Sequence, residues 1–146
     1  MENNLRHLFR SIFQKHRSVL QNHLDQYDLF VGQPRYLRFI KEYPGITQKQ
    51  LVTHLNVSKE TVSVTLSKLE KGGYLLRNIN EKDRRERNLY LTDKGINVVL
   101  ELNDYFEKIE NAMFSSLNDD EQMQLERFFN IMLEELEKGE RDEEIL

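Results

Sequence analysis

Apolar positions along this chain recur in two rhythms, and the change of rhythm marks out its parts. From the start, Leu5, Leu8, Phe9, Ile12, Phe13, Val19, Leu20, Leu24 and Tyr27 follow at three- and four-residue spacing, which predicts one long helix over about residues 3–27. Gln33-Pro34 then supplies a φ suited to a first helical turn, and Leu37 with Ile40 carries a second, short helix until Tyr43-Pro44-Gly45 stops it. Thr47-Gln48-Lys49-Gln50 has the form of a capping box opening a third helix with Leu51 and Leu55. Asn56-Val57 makes a tight turn, and Ser58 is a good N-cap for a fourth helix. Val62, Leu66 and Leu69 give that helix its buried side, and Gly72-Gly73 ends it. Two short helices joined by so short a turn form a helix-turn-helix.

The period then shortens. Tyr74 to Ile79 and Asn88 to Leu91 read as two short strands around a charged loop, Asn80 to Arg87, which predicts a hairpin with a charged tip. Thr92 caps a further helix bearing Ile96, Val99, Leu100, Phe106, Ile109 and Met113, broken at Leu117-Asn118-Asp119. A last helix carries Leu125, Phe128, Phe129, Met132, Leu133 and Leu136. The fold expected is mainly α with a small β wing: a winged helix-turn-helix, about residues 33–95, flanked by N- and C-terminal dimerisation helices, about 1–30 and 96–140. It is read as one domain over residues 1–146, ending in an acidic tail at 140–146 that should fray. The dimer is expected because the stripes with Leu5, Leu8, Phe9, Phe128, Phe129 and Met132 are too broad for one winged domain to cover, and exposed apolar patches of that extent mark interfaces.

Composition changes this picture in three respects. No run approaches the roughly 20 apolar residues of a membrane span, and Met1-Glu2-Asn3-Asn4 lacks the basic and apolar stretches of a secretory signal, so a cytoplasmic location without membrane contact is expected. With no cysteine, a disulfide framework, a thiolate metal site and a thiol switch are all excluded. The net charge of -4 divides unevenly: residues 1–100 hold 17 Lys and Arg against 10 Asp and Glu, whereas residues 101–146 hold 4 against 15. Since attraction to phosphate depends on the local field, an acidic total does not exclude a nucleic-acid partner for the basic part.

The candidate chemistry lies in that basic part. On the fourth helix, Ser58, Lys59, Glu60, Thr61, Ser63, Thr65 and Lys68 are left opposite the core side, and short hydroxylated side chains suit close approach to base edges and phosphates. In the wing, Lys82, Arg84, Arg85 and Arg87 are interleaved with Glu81, Asp83 and Glu86. An Asp two residues before an Arg can hold the loop so that the arginine points outward to a phosphate or a narrow minor groove. The candidate DNA-binding residues are therefore Ser58, Lys59, Thr61, Ser63, Thr65, Lys68, Lys82, Asp83, Arg84, Arg85 and Arg87. Glu60 and Glu70 stand against them, reducing the basic charge of the helix.

The segment Ile46 to Gly95, with Ser58-Lys59-Glu60-Thr61-Val62-Ser63, Leu69 to Leu75, Asp83-Arg84-Arg85 and Leu91-Thr92-Asp93-Lys94-Gly95, resembles the MarR family of winged-helix transcriptional regulators. The long helices on either side extend the resemblance over essentially the whole chain. It implies a homodimer on double-stranded DNA at a pseudo-palindromic operator, acting as a repressor and released by a small molecule. It also implies that Ser58 to Lys71 is the recognition helix, that Arg85 reaches the minor groove, and that Asp83 braces the wing. An effector site between dimer helices and winged domain would draw on Phe13, Arg17, Tyr36, Phe39 and Tyr105, an aromatic wall with one cation suited to an aromatic or anionic ligand. Aromatics at helical spacing more often serve a core.

His16 and His23 lie seven residues apart without an evident third ligand, so no metal and no cofactor is expected. Neither a nucleophile elbow, nor a phosphate-binding glycine loop, nor a His-Glu-x-x-His pair occurs, which argues against an enzyme. The rival reading, a winged helix that binds protein, gives no reason for three arginines at the wing.

Overall fold

A computed structural model describes residues 2–142 and the side chains of residues 4–140. The acidic tail beyond residue 142 lies outside the described residues. In order, the elements are α1 (Glu2–Leu24), a 3-10 turn (Asp25–Tyr27), α2 (Pro34–Glu42), α3 (Gln48–Leu55), α4 (Lys59–Lys71), β1 (Leu75–Ile79), β2 (Arg87–Leu91), α5 (Asp93–Phe114) and α6 (Asp119–Asp142). The chain divides into two compact units, Met1–Asp104 and Tyr105–Leu146.

The first unit holds the core. Leu24, Leu29, Tyr36, Leu37, Ile40, Leu51, Val62, Leu66, Leu69, Tyr74, Leu75, Leu89, Val98, Val99 and Leu102 are buried there. Local chemistry fixes the ends of its helices. Thr47 accepts from the Gln50 amide at 3.1 Å while Gln50 Oε1 accepts from the Thr47 amide at 3.0 Å, completing the capping box. Asn56, at φ 49°, turns the chain out of α3, and Ser58 Oγ accepts from the Thr61 amide to start α4. At the far end of α4, the Gly73 amide donates to the Glu70 carbonyl and the Tyr74 amide to the Leu69 carbonyl, with Gly73 at φ 82°. That is a Schellman closure, in which the left-handed residue must be nearly free of Cβ strain.

The wing follows directly. β1 and β2 are antiparallel, with Leu75 opposite Leu91, Arg77 opposite Leu89 and Ile79 opposite Arg87. Its base is sewn to the segment before α3: Gly45 donates its amide to the Leu89 carbonyl, Leu89 donates to the Ile46 carbonyl, and Asn88 Nδ2 donates to the Gly45 carbonyl at 2.7 Å. The wing is thus positioned by the helix-turn-helix. Thr92 joins it to α5, with Oγ1 donating to the Gly73 carbonyl and accepting from the Gly95 amide. A Cβ on Gly95 would lie 2.0 Å from the Tyr74 carbonyl oxygen, so α5 packs on this turn only because residue 95 has no side chain.

Two tyrosines tie the ends of the unit together. Tyr27 Oη donates to Glu101 at 2.7 Å, and Tyr74 Oη donates to the Tyr27 carbonyl. Bonding to Glu101 raises the Tyr27 hydroxyl above its ordinary pKa, with burial adding to it; burial, then Asp28, raises that of Tyr74.

The structure corrects one sequence expectation and refines another. The first helix ends at Leu24, three residues early, where the chain tightens into the 3-10 turn. On α5 the spacing correctly predicts a helix, and of the residues it names Val99 is buried, beside Val98 and Leu102, whereas Ile96 and Leu100 are exposed. Both sides of that helix are apolar, so periodicity alone cannot choose between them.

The second unit contains the end of α5 and all of α6. Asn118 and Glu121 form a reciprocal cap at the start of α6, and Gln122 Nε2 donates to the Phe114 and Leu117 carbonyls. Its large apolar side chains stay open: Phe128 is 50% and Leu136 65% exposed, along with Phe129, Ile131, Met132 and Leu133.

Candidate nucleic-acid interface

Two surfaces of the first unit carry the residues that the sequence singles out. One is α4. Ser58, Lys59, Thr61 and Lys68 are exposed on it, whereas Ser63 and Thr65 are half-buried on its flanks. With about 3.6 residues per turn, both flank positions lie closer to the Val62–Leu66–Leu69 side than a simple inside–outside division allows. The Ser58 and Thr61 hydroxyls are bonded to each other at 2.8 Å as part of the N-cap. Of the two carboxylates that would repel phosphate, Glu70 is answered: Arg77 reaches it from β1 at 3.2 and 3.3 Å and also bonds Ser67.

The other surface is the wing tip, which is built by side chains accepting from its own amides. Asn80 Oδ1 takes the amides of Lys82 at 2.8 Å and Asp83 at 3.1 Å. Asp83 Oδ1 takes the amide of Arg85 at 3.0 Å, and the Glu86 amide closes the turn on the Asp83 carbonyl. Lys82, Arg84 and Arg85 are exposed on this frame. Arg87 is different: its guanidinium donates to the carbonyls of Arg84 and Glu86, and the residue is half-buried. It secures the tip from below.

Between the two surfaces lies a cleft of about 420 Å³ lined by Gln48, Lys49, Val52, Lys59, Arg85, Glu86 and Arg87. Four cations against one carboxylate make it a place for an anion. Lys49 and Gln48 were not among the sequence candidates. The capping box places residues 48 and 49 in the first turn of α3, and only the packing of the wing against that turn brings them into the cleft.

Comparison with known proteins fits this architecture. The MarR family model matches residues 31–86, from the approach to α2 through the wing tip. The HTH-type transcriptional regulator MgrA of Staphylococcus aureus is 30% identical over 120 residues, spanning 82% of this chain and 80% of MgrA. The chain belongs to the MarR family. The HTH-type regulator YwoH of Bacillus subtilis is 27% identical over 133 residues, 89% of this chain and 96% of YwoH. Among solved structures, the Staphylococcus aureus MepR–DNA complex has a TM-score of 0.75 at 28% identity, covering 89% of this chain and 96% of MepR. Streptococcus pneumoniae FabT in complex with DNA has a TM-score of 0.83 at 22% identity, covering 94% and 99%, and is similar in fold.

As a MarR-family member the chain is a transcriptional regulator, and the relatives it matches are regulators rather than enzymes. The residues expected at an effector site have differing surroundings. Tyr36 is a core side chain, and Phe39 packs against Tyr43 at 4.9 Å and His54 at 4.8 Å. Phe13 and Arg17 are exposed on α1, and Tyr105 belongs to the second unit. Five clefts of the described residues are lined by other side chains. Of the two histidines on α1, His23 has a Gln26 Nε2 3.1 Å from its Nδ1 and meets the Tyr27 ring edge-on. Among the described residues no group of three His, Asp or Glu is placed to hold a metal, and no helix is long and apolar enough to cross a membrane.

Proposed function

We propose that this MarR-family chain is a sequence-specific DNA-binding regulator that occupies a pseudo-palindromic operator as a homodimer, working in the cytoplasm as a repressor. The observation that carries this reading is the pairing of α4 with a braced, arginine-bearing wing across a cleft lined by Lys49, Lys59, Arg85 and Arg87. A helix seated in the major groove beside a wing arginine in the minor groove needs that spacing of cations, and phosphate contacts supply most of the affinity. The likeness to MepR, which has been solved bound to DNA, supports it. In this reading Ser58, Lys59, Thr61, Lys68, Lys82, Arg84 and Arg85 meet the duplex, with Asp83 and Arg87 holding the wing and Ser63 and Thr65 at the margin.

The dimer is supported by what one chain leaves open. Leu5, Phe9 and Phe13 on α1 of the first unit, and separately Phe128, Phe129 and Met132 on α6 of the second, are all roughly half exposed or more, and water does not favour either apolar stretch. Two copies related by a two-fold axis would present two α4 helices to successive major-groove faces, about 34–36 Å apart. A small aromatic or anionic effector that alters this separation would release the operator.

Fluorescence anisotropy tests the proposal directly, using the duplex upstream of the chain's own coding sequence against a scrambled duplex over a series of salt concentrations. Tight, selective binding that falls steeply with salt supports it. Equal, weak binding of both duplexes sinks it in favour of a winged helix that binds protein.

A further inference from the structure

On α4 the stripe that faces directly away from Val62, Leu66 and Leu69 consists of Glu60, Val64, Ser67 and Lys71, at spacings of four, three and four, and all four are exposed. This is not the hydroxyl-rich face that the sequence favours, and two of its members are unsuited to a surface whose only task is to hold phosphate. Val64 is 56% exposed in the middle of the helix, with nothing polar to offer. Glu60 is a carboxylate in the first turn. Unlike Glu70, which Arg77 engages at two points, Glu60 has no hydrogen-bond or ion-pair partner among the described residues.

Both oddities have a match on the floor of the major groove. An unpaired carboxylate carried toward DNA is repelled by the phosphates unless a donor meets it. The cytosine N4 amino donor has an acceptor on one side only, the O6 of its paired guanine, whereas the adenine N6 amino group lies between its own N7 and the O4 of its paired thymine. An exposed valine can make no hydrogen bond, but the C5 methyl of thymine is an apolar surface of the right size. Four residues along a helix advance about 6 Å, so two such side chains in one stripe reach bases one or two steps apart.

We propose that Glu60 and Val64 are a specificity-determining pair, Glu60 accepting from the N4 amino group of a cytosine and Val64 packing on the methyl group of a nearby thymine in each half-site. The inference rests on the reading of α4 as the groove-facing helix. Glu60 acts by exclusion as much as by attraction: every sequence lacking a cytosine at that step faces an unanswered charge. A carboxylate that only complements the helix dipole at the first turn would stabilise α4 equally well on any duplex.

The test is selection from a randomised duplex pool by wild-type protein, Glu60→Gln and Val64→Ala, followed by titration of the winning wild-type duplex with single thymines replaced by uracil. The wild type is expected to enrich a two-fold motif with a cytosine and a thymine at fixed separation in each half-site. Glu60→Gln should move the cytosine preference toward adenine, which glutamine bonds through N6 and N7, and should bind a scrambled duplex more tightly. Uracil at the contacted thymine should cost the wild type about ten-fold in affinity and Val64→Ala little, because the methyl contact is what is lost. If wild type and both variants enrich the same motif with the same uracil response, the pair is overturned while the DNA-binding reading stands. If the folded wild type enriches no motif, both fall.

Discussion

Arg84 and Arg85 stand open at the wing tip, while Arg87, in the same charged run, turns its guanidinium onto the carbonyls of Arg84 and Glu86. Residues of one type within a few positions thus do different work, and substitution separates them. Arg85→Ala should weaken duplex binding by about ten-fold and lower the salt slope by about 1, the signature of one cation withdrawn from the duplex, with thermal stability unchanged because the side chain is exposed. Anisotropy at several salt concentrations and a melting curve read both quantities; unchanged affinity would remove Arg85 from the interface. Gly95→Ala should do the reverse. Its Cβ would fall 2.0 Å from a backbone oxygen that cannot move without disturbing the α4–β1 turn, so a loss of about 2 kcal/mol or more in stability is expected by denaturant unfolding. A variant as stable as wild type would show that α5 can shift on the turn.

At the scale of elements, the wing is a frame held by side-chain carbonyl and carboxylate oxygens. Asp83→Ala removes the acceptor of the Arg85 amide, so the tip loosens and the duplex affinity drops several-fold. No phosphate contact is lost, so the salt slope should stay as in wild type, unlike that of Arg85→Ala. An equal fall in slope would mean that Asp83 acts through charge. The tie between the 3-10 turn and α5 should respond to alkali. Tyr27 can donate to Glu101 only while protonated, and its pKa is raised in the folded chain. The unfolded chain then loses the proton first, so this stabilisation is complete below about pH 10, the ordinary tyrosine value, and is lost as pH rises through the higher folded value. Unfolding measured from pH 8 to 11 should show that decline, and Tyr27→Phe should flatten it.

Elements were also the most legible part of the sequence. The capping box at Thr47, the turn at Asn56, the cap at Ser58 and the glycines after α4 are local chemistry, and local chemistry can be read from neighbouring residues. What escaped depends on distant packing. Spacing could not show that Ser63 and Thr65 are rotated toward the flank, that Arg87 faces inward, or that Lys49 joins the wing across a cleft, since each is set by where another element comes to lie. The exposed stripe of Glu60 and Val64 follows from a helical count, and a valine there stands out only once its exposure is known.

For the whole molecule, the charge division seen in the sequence acquires a structural sense. Of the 17 Lys and Arg in residues 1–100, nine lie on α3, α4 and the wing and four on α1, while the acidic excess lies from residue 101 onward, largely on α6. Attraction to a polyanion depends on the local field, so the cations of α3, α4 and the wing can act despite the acidic total. The same acidic part carries the open apolar residues of α6, and a helix of that kind gains its stability from packing rather than from propensity. A two-fold dimer and a duplex held by both α4 helices thus stand or fall together. Analytical ultracentrifugation of the protein with a labelled upstream duplex, combined with hydroxyl-radical footprinting of the same complex, tests them together. The prediction is two chains per duplex and two protected windows about one helical turn apart, near 10 base pairs. A complex of one chain per duplex, or a single protected window, would contradict it.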